Sequence, residues 1–301
     1  MTNELSRQLI PWAYTSKLGI TVRGLHSQPT GKPVLHFLHG NGFCGLTYQP
    51  MLAHLSNDYD LFLSDAQGHG DSDNGQDFLG WNNAAEISAQ AWLAHQSRFG
   101  EVAVYGLGHS FGGVLTSLMH AEYPELFKGL VLLDPVLFPP SMLLLARTLE
   151  GVRLFKKNPL AKAALKRRQH WPDRATAFSY FQSRSLFSNW HPDALQAYVN
   201  HALADAEQGV MLKCPPQREA DVFSSYPRGL WPALRNAKAP IKIFYGEQTF
   251  PFVVKAVNKW QQLNNGVQSQ QVPGGHCFMQ EQPEQSALRV SATLQDFRAG
   301  K

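Results

Sequence analysis

Gly108-His109-Ser110-Phe111-Gly112-Gly113 follows the short apolar run Val102–Tyr105 (VAVY) and opens a helical pattern over Gly112–Tyr123. The spacing is G-x-S-x-G at a strand-to-helix turn. A chain that reverses this sharply strains the backbone of the central residue. It also crowds the positions two residues away, where glycine avoids a collision. The serine hydroxyl is thereby presented beyond the carboxyl end of a strand and at the N-terminus of a helix. A glycine-rich turn with an incidental serine is the plainer alternative, and the strand before it and helix after it argue against that.

Further strand-like runs lie on either side. Val34–His39 (VLHFLH), Leu61–Asp65 (LFLSD), Leu130–Asp134 (LVLLD) and Ile241–Tyr245 (IKIFY) are short, apolar and bounded by turn residues. Mostly continuous hydrophobicity is what strands covered on both faces require. Helical patterns over Leu46–Leu55, Asn82–Phe99, Val254–Leu263 and Gln285–Arg298 alternate with them. This alternation predicts a parallel sheet with helices on both faces. Ile20–His26 (ITVRGLH) alternates in polarity and is expected as an antiparallel edge strand. Between Asp134 and Ile241 the alternation stops. That gap reads as mostly helical, with starts at Ser141 and Asn158-Pro159, and is too long for a structureless loop. An inserted cap is expected there. Ser141 to Leu230 carries 13 Lys/Arg and 7 Asp/Glu, a net of +6, whereas the remainder carries 14 and 16, a net of −2.

Composition narrows the function classes. With 301 residues, 44% hydrophobic and 17% charged, the chain is globular and not disordered. A net charge of +4 is too mild for a nucleic-acid-binding domain. Three widely spaced cysteines, Cys44, Cys214 and Cys277, argue against a disulfide framework and for a reducing compartment. The segment MTNELSRQLIPWAY lacks the pattern of a signal peptide, and VLFPPSMLLLA from Val136 is too short and too proline-rich to span a bilayer. A cytoplasmic protein without an integral membrane segment is expected.

A serine hydroxyl is a weak nucleophile until a base takes its proton. Gly274-Gly275-His276-Cys277-Phe278 follows a polar strand candidate ending at Val272, and its glycines let a loop carry the imidazole over the sheet edge. A tetrahedral intermediate further needs preorganised donors for its oxyanion. The backbone N–H of Phe111, just past the serine, supplies one. That of Asn41, in His39-Gly40-Asn41-Gly42 after the strand Val34–His39, is the candidate for the other. Read alone, that loop would be no more than a flexible turn.

Together with Asp65–Ser72 (DAQGHGDS) and Pro273–Pro283 (PGGHCFMQEQP), these motifs stand in family order, and the chain resembles the α/β-hydrolases. It is most similar to cap-bearing members, which include esterases, epoxide hydrolases and haloalkane dehalogenases. The resemblance spans nearly the whole chain except about 138–239. It implies a mostly parallel eight-stranded sheet with helices on both faces, and a nucleophile–acid–histidine triad. The expected organisation is a core domain of residues 1–137 and 240–301 with a mainly helical cap, 138–239. Serine at position 110, where epoxide hydrolases and dehalogenases carry aspartate, favours attack on an acyl carbon.

The acid departs from the pattern. Many relatives place an aspartate three residues after the glycine that ends the strand before the histidine loop. Here Gly246-Glu247-Gln248-Thr249 puts a threonine there. Asp134, at the end of Leu130–Leu133, is the first choice for the acid and Glu247 the second. Either preserves the order Ser…Asp/Glu…His. Asp134 has a plainer reading as a turn cap before Pro135. His69, His109 and Asp65 read as residues that shape the glycine turns, and Cys277 has no base of its own.

The cap region is rich in aromatics: Phe155, Trp171, Phe178, Tyr180, Phe181, Phe187, Trp190, Tyr198, Phe223 and Tyr226. Most are expected as cap core and the rest as pocket wall, which suits an apolar or aromatic acyl group. Lys162, Lys166, Arg167 and Arg168 read first as a solvated helix face. The sharper alternatives are an anionic leaving group, such as a coenzyme A thioester, or weak contact with an anionic membrane surface. The sequence thus points to a serine hydrolase that cleaves a carboxylic ester or related acyl compound, with no metal or organic cofactor. Its rivals are a C–C bond hydrolase, a thioesterase or a lactonase with the same triad, and a non-catalytic binding protein that keeps the fold.

Overall fold

The structure is a computed structural model that describes residues 4–150 and 158–300. After α1 (Glu4–Gln8), the chain forms β1 (Ile10–Thr15), β2 (Thr21–His26), β3 (Val34–Leu38), α2 (Gln49–Leu55) and β4 (Asp60–Asp65). There follow α3 (Trp81–His95), β5 (Val104–His109), α4 (Phe111–Glu122) and β6 (Leu130–Leu133). The next segment holds α5 (Pro140–Glu150), α6 (Pro159–Leu165), β7 (His170–Trp171), α7 (Arg174–Gln182) and α8 (Pro192–His201). It continues through β8 (Leu203–Asp205), β9 (Val210–Leu212), α9 (Pro216–Phe223) and α10 (Leu230–Arg235). Last come β10 (Ile241–Gln248), α11 (Pro251–Leu263), β11 (Val267–Gly275), α12 (Phe278–Glu281) and α13 (Pro283–Arg298).

Eight strands pair in the order β1-β2-β4-β3-β5-β6-β10-β11. β2 is antiparallel to both β1 and β4, and every other pairing is parallel. The sheet is therefore mostly parallel, as expected. The edge differs from expectation: Ile10–Thr15 takes it, and Ile20–His26 lies one strand inside. Pro11 is tolerated in β1 because an edge strand has an outer row that needs no donor.

Strand periodicity divides the core in two. In β6, Leu130 and Leu132 enter one hydrophobic cluster, and Val131 and Leu133 the other. Ile241 and Ile243 of β10 likewise oppose Phe244. Successive side chains point to opposite faces, so a strand covered on both sides must be apolar at every position. β5 runs four residues past the apolar stretch that signals it. Its glycines hide the strand in sequence, yet Leu38 pairs with Gly108 and His109 with Leu133.

Segment 138–239 is helical with an addition the sequence does not announce. A small antiparallel sheet, β7-β9-β8, lies within it. Two or three residues per strand are too few for an alternation to be read. Asn158 caps α6 as expected, its side chain accepting the Ala161 N–H at 2.9 Å. α9 fastens the segment to the rest. Arg218, fully buried, donates to the Asn74 side chain at 3.0 Å and to the Asn74 carbonyl at 2.6 Å. Among the described residues no helix is long and apolar enough to cross a membrane.

Gly112 seats α4 against β3. A Cβ built there would lie 2.2 Å from the Leu38 carbonyl oxygen, a backbone atom that cannot swing aside. Gly112→Ala is expected to cost about 3 kcal/mol of unfolding free energy, the upper end of overpacking. Urea unfolding measures it. Unchanged stability would contradict this seating of the helix.

Candidate active site

Ser110 follows β5 and caps α4 with φ 53° and ψ −113°. Asp134 follows β6 with φ 45°. Among the described residues these are the non-glycine positions with positive φ. Such backbone costs about 1–3 kcal/mol per residue and persists where the surroundings over-determine it. Here they do: the Ser110 N–H donates to the Leu133 carbonyl at 3.0 Å, and the Asp134 N–H to the Phe244 carbonyl at 2.7 Å.

Asp134 is fully buried, and its carboxylate is well supplied with donors. The Gly246 N–H donates to Oδ2 at 2.8 Å, the Thr249 hydroxyl donates to Oδ1, and His276 Nδ1–H donates to Oδ1 at 2.8 Å. A carboxylate only accepts, so the proton lies on Nδ1 and the Nε2 lone pair faces outward. Ser110 Oγ stands 2.9 Å from that Nε2. The structure therefore brings Ser110, His276 and Asp134 together. Glu247 is exposed on β10, and Thr249 is a hydrogen-bonding partner of the carboxylate. Glu281, which the sequence reading passed over, accepts the Gly275 N–H at 3.0 Å and holds the histidine loop from behind.

Phe111 is the first residue of α4, where a backbone N–H has no intrahelical acceptor. Asn41 lies in the loop after β3, and its side-chain amide donates to the Glu219 carbonyl of α9 at 3.0 Å. Ser110 Oγ beside the His276 imidazole, with the Phe111 N–H at the helix start, is an arrangement able to attack a carbonyl carbon.

The surrounding histidines are buried and neutral. The Ala66 N–H donates to His39 Nε2 at 3.0 Å, which makes Nε2 an acceptor and Nδ1–H the donor to the Gly40 carbonyl. Burial lowers His39 to about 4 and His36 to about 3, and drives His109 well below the usual range. Asp65 behaves oppositely: burial raises it to about 7, against the Gly45 N–H that donates to its carboxylate. Cys277 is buried with its thiol pushed up, mainly by burial, which suits no nucleophilic role.

Two expectations change. Lys162, Lys166 and Arg168 are exposed, but Arg167 is not part of a solvated face. It is mostly buried, paired with Glu219, and donates to the Tyr198 hydroxyl at 2.7 Å. It follows α6, whose end turns the side chain inward. The aromatics of segment 138–239 are also used differently. Trp171, Phe181, Phe187, Trp190 and Tyr198 are buried against one another, and Phe178 and Tyr180 pack on that cluster. Phe223 packs on Ala161, Ala164 and Ala220, and Tyr226 lines a surface groove with Leu144 and Trp231. Phe155 lies outside the described residues. The aromatic ring against the site comes from elsewhere: Phe250 is 5.0 Å from the His276 ring and stacks on Phe252 at 5.5 Å, and Phe252 on Phe138 at 6.3 Å.

Residues 37–288 match the model of the alpha/beta hydrolase family, and the chain belongs to that family. It is 22% identical over 267 residues, 88% of each chain, to the 2-(acetamidomethylene)succinate hydrolase of Mesorhizobium japonicum. The solved structure of E-2-(acetamidomethylene)succinate hydrolase superposes with a TM-score of 0.75 at 20% identity, covering 95% of this chain and 99% of that one. The abhydrolase domain-containing protein AKT2 of Alternaria alternata is 29% identical over 113 residues, and the match spans only 38% of either length. The monoglyceride lipase of Mus musculus is 31% identical over 118 residues, 36% of this chain and 37% of that one.

Neutral burial of histidine makes stability depend on pH. Unfolding returns His36, His39 and His109 to an ordinary value of about 6.5, so the unfolded chain binds more protons below that pH and stability falls. Asp65, raised in the folded chain, binds its proton more tightly when folded between about 4 and 7 and opposes them with one proton. From pH 6 to pH 5 these four groups should together lower the unfolding free energy by about 2 kcal/mol. Urea unfolding at the two pH values checks this, and a rise in stability on acidification would contradict it.

Proposed function

We propose that the protein is a serine hydrolase cleaving carboxylic esters or related acyl compounds through an acyl-enzyme. The observation that carries the reading is the His276 imidazole, hydrogen-bonded on one side to a buried carboxylate and on the other to Ser110 Oγ. In this mechanism Ser110 Oγ attacks the acyl carbon as His276 Nε2 takes its proton. Asp134 stabilises the imidazolium that forms. The N–H groups of Phe111 and Asn41 hold the oxyanion. Collapse of the tetrahedral intermediate expels the leaving group, which receives the proton from His276. A water molecule, deprotonated by the same nitrogen, then attacks the acyl-enzyme and frees the acid and Ser110.

Residues 138–239 act as a cap over this site on a core of residues 1–137 and 240–301. Contacts from α9 to Asn41 and Asn74 support that division. Phe250, stacked on Phe252, favours an apolar or aromatic acyl group over acetate. Three unpaired, buried cysteines favour a cytoplasmic location.

The test is a panel of p-nitrophenyl esters, thioesters and lactones of graded chain length. Ser110→Ala should lower turnover about 10⁴-fold or more with the fold retained. Asp134→Asn should approach the same loss, because an amide can hold the wrong tautomer, whereas the exposed Glu247→Gln loses less than about tenfold. Hexanoyl esters should exceed acetyl esters in kcat/KM, each buried methylene contributing up to about 0.8 kcal/mol. An active Ser110→Ala enzyme would end the proposal. A dead Glu247→Gln beside an active Asp134→Asn would move the acid to β10.

A further inference from the structure

Three loops supply the chemistry proposed above, and two buried side chains, Tyr48 and His109, link them in relay. The Gly40 N–H, in the loop before Asn41, donates to the Tyr48 hydroxyl oxygen at 3.0 Å. Tyr48 Oη lies 2.6 Å from His109 Nδ1, on the residue preceding Ser110. His109 Nε2 lies 3.1 Å from the carbonyl oxygen of His276. A carbonyl only accepts, so His109 carries its proton on Nε2 and presents Nδ1 as an acceptor, and Tyr48 O–H donates to it. Every donor then has an acceptor, in a single direction from Gly40 through Tyr48 and His109 to His276. Tyr48 and His109 are fully buried.

We infer that Tyr48 and His109 are positioning residues, a neutral hydrogen-bonded chain that sets the oxyanion loop and the His276 backbone relative to Ser110. The inference rests on the serine-hydrolase reading. Neither residue touches the reacting atoms. Tyr48 fixes the peptide plane next to the Asn41 N–H, and His109 fixes the peptide from which the His276 imidazole hangs. The space is closed on the oxyanion side: a Cβ on residue 40 would stand 2.7 Å from His109 Nδ1. Phe43 stacks along the His109 ring at 6.3 Å and meets the edges of Trp190 and Tyr198, so the chain is also packed against segment 138–239. Burial lowers the histidine and raises the phenol, which keeps both neutral across the working pH range.

A displacement of about 1 Å in such groups is enough to cost 10²-fold in rate. The experiment compares wild type, Ser110→Ala, Tyr48→Phe, His109→Leu and His109→Gln in the full chain. Three quantities are read: kcat and KM for p-nitrophenyl butyrate, the rate of labelling by a fluorophosphonate, and the melting temperature. Tyr48→Phe and His109→Leu should lower kcat about 10²-fold with KM within about threefold, and labelling should slow in parallel. His109→Gln, whose amide N–H reaches toward the same carbonyl, should stay within about tenfold of wild type. If His109→Leu does not fold, Tyr48→Phe and His109→Gln decide. Wild-type rates in Tyr48→Phe overturn the positioning role and leave the hydrolase reading standing. A loss in His109→Gln as deep as in folded His109→Leu also overturns it. Wild type that labels no faster than Ser110→Ala overturns the hydrolase reading and this inference together.

Discussion

The register in which β5, β6 and β10 pair sets the geometry of everything above them. His109 of β5 lies beside Leu133 of β6, and Phe244 of β10 lies on that residue's other side. The next residue on two of these strands is Ser110 and Asp134, so the hydroxyl and the carboxylate stand on adjacent strands at one level. β10 continues past that level, and its Gly246 N–H returns a hydrogen bond to Asp134. A slip of one residue would turn each strand's side chains to the opposite face. Leu130 and Leu132 pack in one cluster and Val131 and Leu133 in the other, so such a slip would exchange the close-packed side chains of the two clusters and lose the fit on both faces. Packing on both faces of the sheet thus places the polar groups at its edge.

That placement costs free energy locally. Two residues hold left-handed backbone, a carboxylate is fully buried, and several histidines are buried without charge. Asp134, His39 and His109 are satisfied by hydrogen bonds that come from different strands and loops, which is the condition under which buried polar groups rigidify a fold instead of destabilising it. The arrangement cannot relax one group at a time. Asp134 takes its donors from Gly246, Thr249 and His276, so the ends of β10 and β11 are held to β6 through one side chain.

Much of this is legible in the sequence, for reasons that differ by residue. Ser110 and His276 stand out because the glycines that make their turns possible are adjacent in the chain. The central strands stand out because burial on both faces demands unbroken hydrophobicity. β1 is missed because Pro11 interrupts its pattern, and the later half of β5 because glycines carry no hydrophobic signal. The choice between Asp134 and Glu247 needs the register of β6 against β10, a relation between residues more than a hundred positions apart. Tyr48 and Arg167 fall in the same class. Each looks like an ordinary helix or surface residue until tertiary contact gives it partners, His109 for the one and Glu219 with Tyr198 for the other.

The central claim is that Ser110 becomes acylated during turnover. Acid quenching of p-nitrophenyl butyrate turnover within milliseconds, followed by peptide mass mapping, tests it most directly. The account predicts a butyryl group on the peptide that carries Ser110, formed in step with the first burst of nitrophenol. Turnover with the acyl group on another residue, or with no covalent intermediate at any quench time that resolves the burst, would contradict it.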